Sequence, residues 1–455
     1  MRKSKLLILL LLLLVIGKAY AADVFVDNTA SCSTDDGTSD HPWCSIQAAL
    51  DNAAAGQDIK IRTGTGVYSQ NAFISGKNGT SINPIILEPD TGANFRITSS
   101  GAANNTGAIE IKESDYWTIR NLTFDANDNT NVSQYLLFAQ CETKDCVGWN
   151  ISGNTFQNLR QVTDSGYGKI GVNFVGCHVD FGCGANRMMT GIIENNNFNN
   201  IDGIGLHLSV VLNSTIRNNT FSAIRCGKNV PGNENIAAGI HHDFGNYGNS
   251  IYNNTIHDFI AFASCPHTLT GGYPVTAGIW YDACRGSANE YVYNNTIYNL
   301  DQSKRNYDNG HFSVGIFYES QCKKGYIYNN LIYGIGNEGI VHSFHSQGVS
   351  GDMSYYYHNT IYDTMHGFNI KEGYATFENN IISKVTDAVM CVACNADWGY
   401  AVLTADYNLY DDGASQTKIG QWNGTVYNFA NWKTNCSCDA NSKNASPKFV
   451  GPLPG

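Results

Sequence analysis

Three acids at matching places in successive repeats, Asp243, Asp282 and Glu319, are the residues of this sequence best placed to do chemistry. Each closes a five-residue segment that opens with Gly and an apolar residue: Gly239-Ile240, Gly278-Ile279 and Gly315-Ile316. In a chain whose turns stack, such equivalent residues lie about 4.8 Å apart. Carboxylates that close repel, so either one keeps its proton or a cation sits among them. An oxygen-rich cluster of this kind suits Ca²⁺, with the three acids as ligands. Lys371 takes the same place two repeats beyond Glu319 and is the candidate base, with Arg285, just past the second segment, assisting. The third place of the segments reads His241, Trp280, Phe317, Val341 and Asn369. From these, His241, Trp280, Phe317 and Asn369, together with His345, form the candidate substrate-binding set. Outward places on any repeat structure are polar, so the same column also reads as a solvated face.

The elements that must position these residues are set by a second recurring pattern. Asn218-Asn219-Thr220-Phe221, Asn253-Asn254-Thr255-Ile256, Asn294-Asn295-Thr296-Ile297, Asn329-Asn330-Leu331-Ile332, His358-Asn359-Thr360-Ile361 and Asn379-Asn380-Ile381-Ile382 recur, with weaker copies at Asn121, Asn154, Asn196 and Asn408. Successive second residues are 35 (254−219), 41 (295−254), 35 (330−295), 29 (359−330) and 21 (380−359) apart. A shortest interval near twenty is one turn of a parallel solenoid, and the excess elsewhere is loop insertion. Each copy follows a short β-rich stretch such as Ser250-Ile251-Tyr252, and the alternation has strand periodicity. Asn suits the bend because it tolerates the left-handed region and its amide both donates and accepts. Stacked amides predict an internal ladder. Asn218, Asn253 and Asn294 also read as N-glycosylation sequons, and the ladder reading is preferred there.

The Gly-apolar segments start at Gly203, Gly239, Gly278, Gly315, Gly339 and Gly367, with Ala388 replacing Gly in the last. Their second places are apolar and face the core, which sends the third and fifth outward. The links before Gly239, Gly278 and Gly315 are long, as walls of a cleft over the acid-bearing repeats would require.

Charge and composition narrow the partners. A net charge of −11 argues against nucleic acid, which is bound by Lys and Arg neutralising phosphates. The charged fraction of 15%, with 46 Gly and 9 Pro, is unlike a disordered chain and suits a β-rich solenoid. Arg2, Lys3 and Lys5, the apolar run Leu6 to Ile16 and the small-residue site Ala19-Tyr20-Ala21 read as a secretory signal peptide over residues 1–21. The run is too short for a membrane span, so the expectation is a secreted, extracellular or periplasmic monomer. An even 14 Cys in an exported chain permits disulfides. Cys32/Cys44, Cys141/Cys146, Cys177/Cys183 and Cys391/Cys394 are close enough in sequence for local staples.

On these residues the chain resembles the right-handed parallel β-helix proteins of the pectate-lyase-like superfamily, over about Asn121 to Tyr410. The opening stretch, including Phe25-Val26-Asp27, His41-Pro42-Trp43 and Ser45-Ile46-Gln47, resembles the N-terminal cap of exported β-helix proteins, with a helix from Ser45 to Ala54 plugging the solenoid. Asn431-Trp432 and Asp439-Ala440-Asn441-Ser442 resemble their closing segment. The resemblance implies an all-β fold with a helical cap: cap and first coils in 22–100, β-helix in 101–411, capping segment in 412–455. It further implies a carbohydrate partner. The leading expectation is a Ca²⁺-dependent polysaccharide lyase that cleaves a uronate-containing glycan by β-elimination. A glycoside hydrolase using two of the same carboxylates and a non-catalytic glycan-binding solenoid are the alternatives.

Overall fold

The computed structural model describes residues 21–101, 106–127, 133–161, 168–179, 182–228, 235–245, 247–259, 275–282, 288–301, 312–319, 324–343, 353–393, 401–411 and 418–449. Residues 1–20, which hold almost all of the expected signal peptide, lie outside this set, as do Arg285, His345 and Cys394. So do most of the long links expected to wall the cleft.

Each coil is built from three short strands. In one representative coil, Ser250–Tyr252 belongs to the first sheet, Thr255–Phe259 to the second and Val275–Tyr281 to the third. Each strand pairs in parallel with its equivalent one coil on, for example Ile251 with Val292, Ile256 with Ile297 and Ile279 with Ile316. Parallel strands need a crossover between them, and here the remaining two strands of every coil supply it. The result is a right-handed parallel β-helix. The strand His366–Glu378 bends through Gly373 and serves both the third and the first sheet.

The Asn pattern works as a bend followed by a ladder. The first residue of each pair is left-handed, with φ of +55° at Asn218, Asn253 and Asn294. The second is buried, and its Nδ2 donates to the next coil's Oδ1 at 3.0 Å, as from Asn254 to Asn295 and from Asn295 to Asn330. This ladder runs unbroken from Asn154 to Asn408. The sequons begin at the first residue of each pair, which is exposed, so ladder and sequon use different asparagines and the two readings do not compete.

Inside the coils, stacked Phe124, Phe156, Phe198 and Phe221 give way to Ile256, Ile297, Ile332, Ile361 and Ile382, all fully buried. Each such side chain contributes about 2 kcal/mol by leaving water. The glycines that open the third-sheet segments are required by this packing. A Cβ on Gly239 would meet the Gly278 carbonyl oxygen at 2.8 Å and Ile256 Cγ2 at 3.1 Å.

Both ends are closed. Helix α1 (Ile46–Asp51) is capped by Ser45, whose side chain accepts from the Ala48 N–H, and buries Ile46, Ala49 and Leu50 against the first coils. Helix α2 (Phe429–Cys436) places Trp432 over the last coil, and Asp439 there accepts from Trp432 Nε1 and from Asn408, ending the ladder. Cys32–Cys44, Cys141–Cys146 and Cys177–Cys183 are bonded as the spacing allowed, and Cys436–Cys438 adds a further bridge. Cys391 is also disulfide-bonded. Among the described residues, no helix is long and apolar enough to cross a membrane.

Candidate functional site

The third sheet carries the expected column, with corrections at both ends. Its strands here are β1 (Gly203–Ser209), β2 (Asn235–Asp243), β3 (Val275–Tyr281), β4 (Phe312–Glu319), β5 (Glu338–Ser343) and β6 (His366–Glu378). His241 lies beside Trp280, and Trp280 beside Phe317. Asp282 donates its N–H to the His242 carbonyl at 2.7 Å, so Asp243, Asp282 and Glu319 do follow one another from coil to coil. In β1, however, His207 pairs with His241 and Ser209 with Asp243. The segment therefore opens at Gly205, not Gly203, because Ile204 pairs with Ala238 and Leu206 with Ile240, which sets Gly205 opposite Gly239. At the far end Cys391 pairs with Asn369, which turns Met390 to the core.

Lys371 departs from the column in an informative way. His342 pairs with Ile370 and Ser343 with Glu372, so Lys371 is the extra residue of a bulge. A bulge re-aims a side chain. Its ammonium lies 4.5 Å from the Phe312 ring centre and 5.3 Å from that of Phe317. Burial pulls the Lys371 amine below its ordinary value, against the opposing pull of Glu338 and Glu319.

The aromatic row is not an open platform. Trp280 and Phe317 are each 4% exposed and stack on one another at 5.7 Å. Together with Val314, Val341 and Ala277 they form an apolar layer on the outer side of the third sheet. The half-buried Asp243, Asp282, Glu319 and Lys371 flank this layer. Trp280 Nε1 donates to Glu319 Oε2 at 3.0 Å, so the floor also orients one of the acids.

Calcium bound by all three acids would need their oxygens within 2.3–2.6 Å of one point. Glu319 is turned to Trp280, and Asp243 Oδ2 lies 3.6 Å from His207 Nε2. Among the described residues, the groups of metal-binding atoms that converge within 4.8 Å include none of the three. As arranged, the acids do not form a cation cradle.

Two partners of the site were not foreseen. Glu338 is fully buried and its Oε1 accepts from Asn369 Nδ2 at 3.1 Å and meets His366 Nδ1 at 2.9 Å. The other ring nitrogen of His366 lies 3.1 Å from Asp387. Burial pulls the His366 imidazole down, but Glu338 and Asp387 outweigh it and push it up to about 10. The place before each segment's Gly reads Ala238, Ala277, Val314, Glu338 and His366. The change from apolar to charged at 338 is the signal that could have found them.

These stacked coils make the fold that of right-handed parallel β-helix proteins. No family model matches the sequence. The chain is 33% identical over 118 residues to pectate lyase PEL9 of Emericella nidulans, covering 22% of this chain and 27% of that enzyme. The match thus spans only about a quarter of the relative's own length. Among solved structures, a GH136 lacto-N-biosidase from Eubacterium ramulus aligns with 88% of this chain and 68% of its own, at a TM-score of 0.56 and 13% identity. XylC in complex with xylose covers 89% of this chain and 86% of its own, at 0.53 and 11%. At such identities the β-helix is shared, and the chemistry must come from this chain's own residues.

Proposed function

We propose that this β-helix protein is an exported polysaccharide lyase, acting on a uronate-containing glycan laid along the third sheet. The observation that carries the reading is the re-aimed Lys371, a buried-leaning amine held beside Phe312, Phe317 and the acid column. A lowered amine pKa raises the share of free base near neutral pH, which is what proton abstraction next to a carboxylate needs. Lys371 takes the proton from the ring carbon bearing the uronate carboxylate. The electron pair left behind forms the ring double bond as the glycosidic carbon–oxygen bond to the next sugar breaks, and the departing oxygen takes a proton from water, becoming the hydroxyl of the released chain. Asn369, fixed by Glu338, is placed to donate to the charge that develops on the carboxylate. Export is supported by the leader-like N-terminus and the disulfides.

The test is a screen of pectate, alginate, glycosaminoglycans and neutral glycans, with Ca²⁺ and with chelator, read by ultraviolet absorbance of unsaturated uronate ends. Lys371→Ala should lower turnover roughly a thousandfold while leaving the melting temperature nearly unchanged. Cleavage without unsaturated ends would move the reading to hydrolysis by two of the carboxylates. Full turnover in Lys371→Ala would overturn it outright. Loss of activity in chelator would restore the metal expected from the acid column.

A further inference from the structure

A cavity of about 160 Å³ opens on the third sheet, among Lys169–Val175, β1 and β2. Its polar lining among the described residues is Gln134, Lys169, His207, His241 and Asp243, with Lys169 the one lysine or arginine and Asp243 the one carboxyl among them. His241 is the informative member. It is 6% exposed, yet neither ring nitrogen meets a hydrogen-bond partner among the described residues. Its ring is gripped from both sides, by His207 at 5.4 Å and Trp280 at 4.6 Å between centres. A buried polar group left unpaired costs about 1–3 kcal/mol, so its natural complement is a polar guest in the cavity.

The other walls are fixed in advance. His207 Nδ1 bonds Asn173 Oδ1 at 2.6 Å, which turns Nε2 towards Asp243. Burial holds the His241 imidazole down at about 4, so near neutral pH it offers one donor and one acceptor, the pairing a sugar hydroxyl requires. Burial also lowers Lys169, to about 8, against the pull of Asp202, which leaves it mostly cationic at pH 7. Carboxylates that accept from hydroxyls and an ammonium that receives an anion are the two chemistries here.

We infer that this cavity is a subsite for one carboxylate-bearing sugar unit, with the sugar carboxylate on Lys169 and ring hydroxyls on Asp243 and His241. Its His241 edge lies two coils, about 10 Å, from Phe317 along the same row, with the Lys169 edge two coils further back, so a glycan chain of several units spans it and Lys371. The assignment rests on reading the third sheet as the glycan site.

The test uses the full-length Lys371→Ala protein, in which turnover should be slowed, and saturation-transfer NMR with free galacturonate, glucuronate and mannuronate beside galactose, glucose and mannose. At least one uronate should bind ten times or more tighter than its neutral counterpart. Adding Lys169→Gln should abolish that preference, and adding His241→Phe should weaken both sugars, each with a melting temperature within a few degrees of its parent. No binding by any uronate, or a preference unchanged in Lys169→Gln, overturns the subsite. If uronates bind here but Lys371→Ala keeps full turnover on the polymer, the lyase reading fails and the subsite stands.

Discussion

His241 and His242 are neighbours on one strand, both buried, and neither has a ring nitrogen paired among the described residues. Their surroundings are opposite. His242 points into the solenoid and lies in a packed inner column with Tyr281 and Tyr318, beyond which His342 bonds the Tyr356 hydroxyl. His241 points outward, stacks on Trp280 and borders a polar cavity. The alternation of a strand alone makes this difference. An inner column is repeated for packing, and an outer column is free to vary from coil to coil, so chemistry accumulates on the outside.

The comparison is broken most strongly by attacking the inner ladder. Asn295 Oδ1 accepts from both the N–H and the Nδ2 of Asn254, and its own Nδ2 donates to Ile251 O and Asn330 Oδ1. Asn295→Ala strands several buried groups at once and should cost about 4 kcal/mol in chemical unfolding. If it costs less than about 1 kcal/mol, the ladder is not what holds the coils in register.

A smaller loss is expected where the outer face has grown its own buried network. Glu338→Gln removes the carboxylate between His366 and Asn369 and should cost about 3 kcal/mol near neutral pH. Because the folded His366 is raised to about 10, its contribution is fully present below about pH 6.5 and fades as pH rises through 10. The variant should therefore show a flatter fall of stability between those values. An alkaline limb as steep as in the parent would remove Glu338 from the pair.

How far the sequence could be read follows the same division. The ladder and the glycine starts were legible because they demand one residue type at one place in every coil. What could not be read was the outcome of local accidents. Gly203-Ile204-Gly205 offers two equally good starts, and only the pairing of Ile204 with Ala238 decides between them. The bulge at Lys371 leaves no compositional mark, yet it sets where the candidate base points. Trp280 and Phe317 are aromatic whether they face a sugar or each other, and their burial depends on what packs over the sheet. Glu338 and His366 leave no mark in the places after each glycine, because their charge sits one place before it.

The finest distinction lies between the two neighbouring histidines under acid. Burial holds His242 and His342 down at about 3 and His241 at about 4. A histidine with a depressed folded pKa stabilises fully above its unfolded value, about 6.5, and loses that contribution as pH falls through the folded one, because the unfolded chain binds the proton first. Stability should therefore fall from about pH 6.5 towards pH 3. Replacing His242 by Phe, a similar ring in an aromatic column, removes one such group and should lessen the loss between pH 7 and 5 by about 2 kcal/mol. It should leave uronate binding untouched, since His242 faces the core. His241→Phe should lessen the acid loss to a similar extent and weaken sugar binding as well. If both substitutions altered binding equally, the inner and outer columns would not be separate, and the division of labour between the two faces of the strand would be wrong.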